Sequence, residues 1–301
     1  MSEVRPGLVE TAQGTGRSGL LAHLRAPEPT ITVELRPPRS GLSYAAGMDA
    51  WIDMYHTLER LARDDRYIFL TDNAVDAAEE ESLGHVAANL ARGVPASRIV
   101  PFLTAKHSLD YCMMFARRAV SSGCEALAVV GGDTTGPPPR CVKHGYQLRD
   151  LIRCEFPSLT LGGWANPHAD LAAQVDYIAR GDFEADFFLT QIVSHHSLPA
   201  VERFLEELDR RGVRIPAIFG VFFYRSANPG TLRRLSRFLP IPAEQITREF
   251  AAGASAAEIC ARSIGALQKA GVRNIYLANL GFRRVDRRYR AIMRALEGMG
   301  G

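Results

Sequence analysis

From Thr30 onward the chain alternates between two hydrophobic periodicities. Short apolar runs rich in β-branched and aromatic residues, the signal of a strand, recur at 30–39, 67–71, 98–103, 126–130, 159–162, 187–191, 215–221 and 274–278. Between them, apolar residues return at helical spacing over 48–61, 109–120, 171–179, 198–208 and 256–270. The last stretch opens with Ser255 and Glu258, a capping-box pair that fixes a helix start. Eight strands alternating with helices predict an α/β chain folded as a (β/α)8 TIM barrel, one domain over 30–301. An open doubly wound sheet would need a glycine-rich turn after the first strand, and here that turn is Arg36-Pro37-Pro38-Arg39. Residues 1–29 contain GTGRSG and three prolines without sustained periodicity, so they read as an extended N-terminal tail or a loop across one barrel face.

Composition narrows the class. The 301 residues carry 36 basic and 33 acidic side chains, a net +3, which leaves no electrostatic footprint for nucleic acid or an anionic membrane. No run approaches the roughly 18 apolar residues of a membrane span, and no secretory leader is evident at the N-terminus. The five cysteines form no CxxC pair and are odd in number, which speaks against a zinc knuckle or a disulfide scaffold and suits a reducing cytoplasm.

A barrel of this kind places its chemistry at the C-terminal strand ends, so the residues leaving each strand form one converging set. They are Glu34; Asp72 and Asn73; Thr104 with Lys106 and His107; Asp133; Trp164 with Asn166 and His168; Gln191; Phe223, Tyr224 and Arg225; and Asn279. Glu34 stands out. A carboxylate near the end of a β-branched strand must be paired, solvated or partly protonated, because burying it bare costs several kcal/mol. The blander reading is a strand-end acid facing water, as Asp133 reads equally as a turn residue. His195 and His196 suggest metal ligands, yet adjacent residues on a strand point apart and no nearby acid completes a set, so no metal site is expected.

Four of these stretches together resemble the methylenetetrahydrofolate reductase family. VELRPPR from Val33 resembles its first-strand FEFFPP motif, VVGGDTTGPPP from Val129 its LRGDxPP loop, LTQIVS from Leu189 its ITQ strand, and GVRNIYLANL from Gly271 its last strand. The resemblance implies a cytoplasmic barrel enzyme that reduces 5,10-methylenetetrahydrofolate to 5-methyltetrahydrofolate. It makes Glu34 the proton donor and Asp133 the second catalytic carboxylate, beside the pterin. Gln191 becomes an amide partner of the same ring. Opening the methylene bridge to a reactive iminium needs a proton, and a carboxylic acid raised in pKa by desolvation can hold one near neutral pH. Phe223, Tyr224, Arg225 and Asn279 complete the expected substrate site. Thr104, Lys106, Trp164, Asn166 and His168 are expected around the second ligand.

The departures from the family concern its flavin. Gly131 stands where the family carries arginine before Gly-Asp, 171–177 offers no cation to the flavin phosphates, and Phe102-Leu103-Thr104 replaces His-Leu-Thr. The family's Asn-Arg after the last strand becomes Gly281-Phe282, leaving Arg283 or Arg284 as substitutes. These losses point to the flavin-free branch, in which NADH or NADPH passes hydride directly to the folate and FAD is absent. Lys106, Arg140 and Lys143 are then candidates for a pyrophosphate or a glutamate tail. The expected partners are a tetrahydrofolate derivative and a nicotinamide dinucleotide, with no nucleic acid or membrane; a homo-oligomer is left open. Three rivals stand beside this reading: a conventional FAD enzyme, a catalytically inactive folate-binding barrel, and an unrelated aldolase- or phosphatase-like barrel, for which Lys106 alone lies near a strand end.

Overall fold

A computed structural model of the chain describes residues 19–38, 41–64, 66–71, 94–132, 139–281 and 284–299. Eight parallel strands close into a barrel in sequential order, each hydrogen-bonded to its neighbours and the first to the last. They are β1 (Thr30–Leu35), β2 (Ile68–Leu70), β3 (Ile99–Thr104), β4 (Ala126–Val130), β5 (Thr160–Ala165), β6 (Phe187–Val193), β7 (Ala217–Phe222) and β8 (Asn274–Ala278). The expected (β/α)8 architecture is therefore the observed one. Five of the surrounding helices fall on the periodic stretches: Tyr44–Arg63, Leu109–Ser121, Leu171–Ala179, Leu198–Arg210 and Ala256–Lys269. The Ser255–Glu258 capping box is formed, with the Glu258 carboxylate accepting from the Ser255 N–H at 2.7 Å and the Ser255 hydroxyl oxygen accepting from the Glu258 N–H at 3.2 Å.

Strand alternation sorts side chains into two apolar layers. On β1, Ile31, Val33 and Leu35 face outward into the core beneath the helices, whereas Thr30, Thr32 and Glu34 occupy the opposite phase. Inside the barrel, Phe69, Phe102, Phe187, Leu189, Ile218 and Tyr276 pack into a solid interior. Glycines make the room: a Cβ on Gly162 would lie 2.4 Å from the Phe187 ring, and one on Gly220 would lie 2.4 Å from the Tyr276 hydroxyl.

Residues 19–25, expected as part of a tail or of a loop across one barrel face, lie across a barrel face as a helix. Gly19–Arg25 is a helix whose Leu20, Leu21 and Leu24 are buried against Tyr67, Phe69 and the rest of the barrel interior. Thr30 and Asn274, at the beginnings of β1 and β8, donate to the carbonyls of His23 and Leu24, and Arg273 donates to those of Arg25 and Ala26. This helix thus plugs the N-terminal mouth, and three leucines in seven residues were too short a pattern to show it. Two further helices, Pro229–Leu235 and Ala243–Ala251, extend the connection after β7. No described helix is long and apolar enough to cross a membrane.

Candidate functional site

With one mouth plugged, the inward residues at the C-terminal ends of the strands border a cavity of about 610 Å³. The odd strands contribute Glu34, Thr104, Trp164 and Phe222 to its wall. The even positions are Thr71, Val130, Gln191 and Ala278. Each is the last inward position of its strand or the residue just beyond it, as period-two alternation requires. Phe102 and Tyr276, one layer deeper, form part of the floor. Leu235, Phe238 and Leu239, from the extended connection after β7, overhang the opening. A second cavity of about 440 Å³ adjoins the first, and Glu34, Arg36, Phe222, Leu235 and Asn279 line both.

Glu34 thus stands at the boundary of two spaces. The larger is faced by aromatic rings and by Arg36, Arg140 and Arg149. The smaller adds Arg225 and Arg234 to the shared Arg36. Burial, reinforced by the neighbouring Arg288, lowers the pKa of the Arg225 guanidinium. A Cβ on Gly281, whose φ is +83°, would meet the Arg225 and Arg288 guanidinium groups at 2.6 and 2.8 Å. Asn279 is left-handed at φ +66°, donates to the Phe223 carbonyl at 3.0 Å, and accepts from Arg225 through its own carbonyl at 3.3 Å. Backbone held in that region concentrates at ligand sites, and asparagine tolerates it better than most residues.

Gln191, inward by the alternation of Phe187 and Leu189, lies at a bulge in β6. Leu189 pairs with Ile218 but Ile192 with Gly220, so β6 spends three steps where β7 spends two. Phe187 and Leu189 are inward and Val193 outward, with Gln191 delivered to the cavity between them. Its side-chain oxygen accepts from the Ile192 N–H at 2.9 Å, which turns the amide nitrogen away from the strand. Tyr276, whose phenol is pushed well above its ordinary pKa by burial and by the Glu34 charge, donates to the Thr190 carbonyl at 2.7 Å. The acid and the bulged strand therefore sit on either side of one buried phenol.

Of the sequence-predicted residues, Glu34, Thr104, Trp164, Asn166, Gln191 and Asn279 come together around the larger cavity, and Tyr224 and Arg225 around the smaller. Asp133, Asp72 and Asn73 lie outside the described residues, although Gly131 and Gly132, immediately before Asp133, line the larger cavity. Three of the expected residues stand elsewhere. Phe223 is outward in the core beneath the helices, and Phe222 faces the cavity in its place, one step along the alternation. His168 braces the site from behind, its Nε2 2.8 Å from the Ile192 carbonyl. Lys106 packs beside Gly132, where a Cβ would meet its Cγ at 2.9 Å, and lines neither cavity.

A cation stands beside Gly131. Arg140 lines the larger cavity with its guanidinium 3.2 Å from where a Gly131 Cβ would stand, donating to the Gly132 carbonyl and, at 3.3 Å, to that of Lys143. Arg149 contributes a second guanidinium from below. Its groups donate to the carbonyls of Val129 at 2.9 Å and Phe183 at 2.6 and 3.0 Å and to the Tyr177 hydroxyl, and burial lowers its pKa. Sequence reasoning missed Phe222 and Tyr276, at inward strand positions, and Tyr177, in the last turn of the helix Leu171–Ala179, which no strand-end rule reaches.

The histidine pair also departs from expectation. His195 and His196 form a short 3₁₀ turn after β6 rather than continuing the strand, so their rings converge at 3.8 Å between centroids. The missing acid is Glu249, whose Oε1 lies 3.0 Å from His195 Nε2 and 2.6 Å from His196 Nε2.

Fold and site define a closed (β/α)8 barrel with a two-chambered opening at its C-terminal end. No family model and no curated protein matches the chain. Among solved structures it is similar to an uncharacterized protein from Clostridium thermocellum that binds two copies of 5-methyl-5,6,7,8-tetrahydrofolic acid, at 16% identity over 90% of this chain and 95% of that one, with a TM-score of 0.62. It is also similar to 2,3-dimethylmalate lyase, a member of the PEP mutase/isocitrate lyase superfamily, at 13% identity over 93% of this chain and 86% of that one, with a TM-score of 0.47. A third, the aldolase QR15, has 10% identity over 87% and 96%, with a TM-score of 0.45. The last two scores are too low to bear on the site.

Proposed function

We propose that the chain is a methylenetetrahydrofolate reductase in which NADH or NADPH gives its hydride directly to 5,10-methylenetetrahydrofolate. The observation that carries this reading is the place of Glu34 on the shared wall of two adjoining cavities, within reach of ligands in both. A direct transfer needs that arrangement, because donor and acceptor carbons must meet at roughly 3 to 3.5 Å beside the proton source. Further support comes from the C. thermocellum barrel, which binds two copies of the product of this reaction.

In the proposed step the Glu34 carboxylic acid protonates the bridging N10, the bond from that nitrogen to the methylene carbon breaks, and N5 retains the carbon as an iminium cation. A hydride then leaves C4 of the nicotinamide and forms the third C–H bond of the methyl group. The folate gains one proton and one hydride, and the nicotinamide is oxidised. Gln191 offers its amide to the pterin edge, with Asp133 accepting from the amino-pyrimidine side and stabilising the cation. Trp164 and Phe222 supply stacking faces. The smaller cavity, with Arg36, Arg225 and Arg234, suits an anionic end: the folate carboxylates or the dinucleotide pyrophosphate.

Glu34→Gln keeps the shape and removes the acid. It is expected to lower kcat by about 10²- to 10⁴-fold while folate binding survives. Undiminished NADH oxidation by that variant contradicts the assignment. One observation favours a second reading, a conventional flavoenzyme: Arg140 brings a guanidinium to the larger cavity beside Gly131, the position at which the resembled family carries its arginine. A yellow protein whose flavin absorbance persists through gel filtration supports that reading instead.

A further inference from the structure

Away from both cavities, two elements bring nitrogen and oxygen donors to one point. His195 and His196 lie in the turn after β6, Glu249 on the helix Ala243–Ala251, and their ligating atoms are all within 4.8 Å of one another. The side chains are mostly buried, with 20%, 20% and 13% of their surface exposed. We propose that this cluster is a divalent transition-metal site, best suited to Zn²⁺, with His195 Nε2, His196 Nε2 and Glu249 Oε1 as protein ligands and water in the fourth position.

The hydrogen bonds around the cluster prepare it. The Ser263 hydroxyl donates to the Ile259 carbonyl at 3.3 Å, so its lone pairs face His195 Nδ1 at 2.9 Å. With the Ser263 hydroxyl donating to that carbonyl, a neutral His195 protonated at Nδ1 donates to Ser263 and keeps its lone pair on Nε2, where a metal would bind. In that tautomer the Nε2 lone pair and Glu249 Oε1 converge at 3.0 Å, as two ligands of one cation would. The second oxygen, Oε2, is held by Arg262 at 2.7 Å, which keeps the carboxylate oriented and frees Oε1 for the shared point. A histidine whose far nitrogen donates to an outer partner, beside a carboxylate fixed by a second group, is the support that zinc ligands usually have.

Geometry and donor type select the ion. Tetrahedral ligands about 2.0 to 2.1 Å from zinc stand roughly 3.3 Å apart, so the observed 3.0 and 2.6 Å separations need only small rotations to open. Two imidazoles and one carboxylate suit zinc, whereas magnesium and calcium take oxygen donors almost throughout. The bound ion would tie the end of β6, a few residues beyond Gln191, to the helices Ala243–Ala251 and Ala256–Lys269, which carry Glu249 and Ser263.

The test uses the full chain, freed of metal with a chelator and titrated with Zn²⁺ by calorimetry and with Co²⁺ by visible absorption. One equivalent is expected to bind, with the intense d–d bands of tetrahedral Co²⁺ and a higher unfolding temperature. The double variant His195→Ala/His196→Ala should lose the saturable binding, and Ser263→Ala, which leaves all three ligands in place, should weaken it by about 10- to 100-fold. Far-UV circular dichroism in chelator shows whether each variant folds; should the double variant not fold, Ser263→Ala decides. No saturable binding by the native chain, or equal binding by a folded double variant or by Ser263→Ala, overturns the proposal. The outcome is independent of the reductase reading, since none of these residues lines either cavity.

Discussion

A single absent methyl group at Gly220 decides what the barrel interior can hold. The Tyr276 hydroxyl occupies the space a side chain there would take, and the same phenol ties β8 to β6 beneath Glu34. Gly220→Ala is expected to destabilise the fold by about 1–3 kcal/mol through overpacking, measured by denaturant unfolding, and to disturb catalysis through Tyr276. Unchanged stability would mean that Tyr276 has room to move. Arg149 makes a different demand, for its guanidinium satisfies the carbonyls of Val129 and Phe183 from a buried position. Arg149→Met should cost about 3 kcal/mol in the same experiment because it strands those carbonyls. At this scale the sequence was informative wherever strand phase alone fixes direction. Glu34 faces inward because Val33 and Leu35 face out. Phe223 was misplaced because a run of three aromatics, 222 to 224, hides which member faces inward. The histidine pair was misread because Glu249 lies 53 residues beyond His196, and only the tertiary fold brings it near.

Among the elements, long periodic segments were legible and short ones were not. The strands at 126–130 and 274–278 and the helix at 171–179 have the expected limits, since each combines a clear period with flanking breakers. The bulge in β6 could not be read from one strand, because an extra residue is defined only against its partner. The N-terminal plug depends on three leucines finding the barrel floor. Leu24→Ala should therefore cost about 2–5 kcal/mol in denaturant unfolding, as a buried core truncation does. A cost below that range would show the plug to be weakly docked. The connection after β7 has the opposite character: Phe238 is 40% exposed while overhanging the larger cavity. Replacing Leu235 and Phe238 together by alanine is expected to raise the KM for the folate several-fold with little change in unfolding temperature, which separates a ligand-covering role from a packing one.

For the whole molecule, the account rests on two cavities that share one acid. A closed barrel supplies eight inward strand ends. The plug closes one mouth, and the connection after β7 partly roofs the other. Guanidinium groups reach both spaces, Arg140 and Arg149 the larger, Arg225 and Arg234 the smaller, and Arg36 both. Whether the hydride crosses directly or passes through a flavin is read most directly from isotopic labelling. Flavin-stripped protein, held without oxygen, would be given 5,10-methylenetetrahydrofolate and NADH deuterated at the transferable C4 position, and the 5-methyltetrahydrofolate examined by mass spectrometry. Direct transfer predicts NADH oxidation in step with product and one full deuterium in the new methyl group. No turnover until flavin is added, or a methyl group whose label has been lost to solvent as exchange at a reduced flavin would cause, contradicts it.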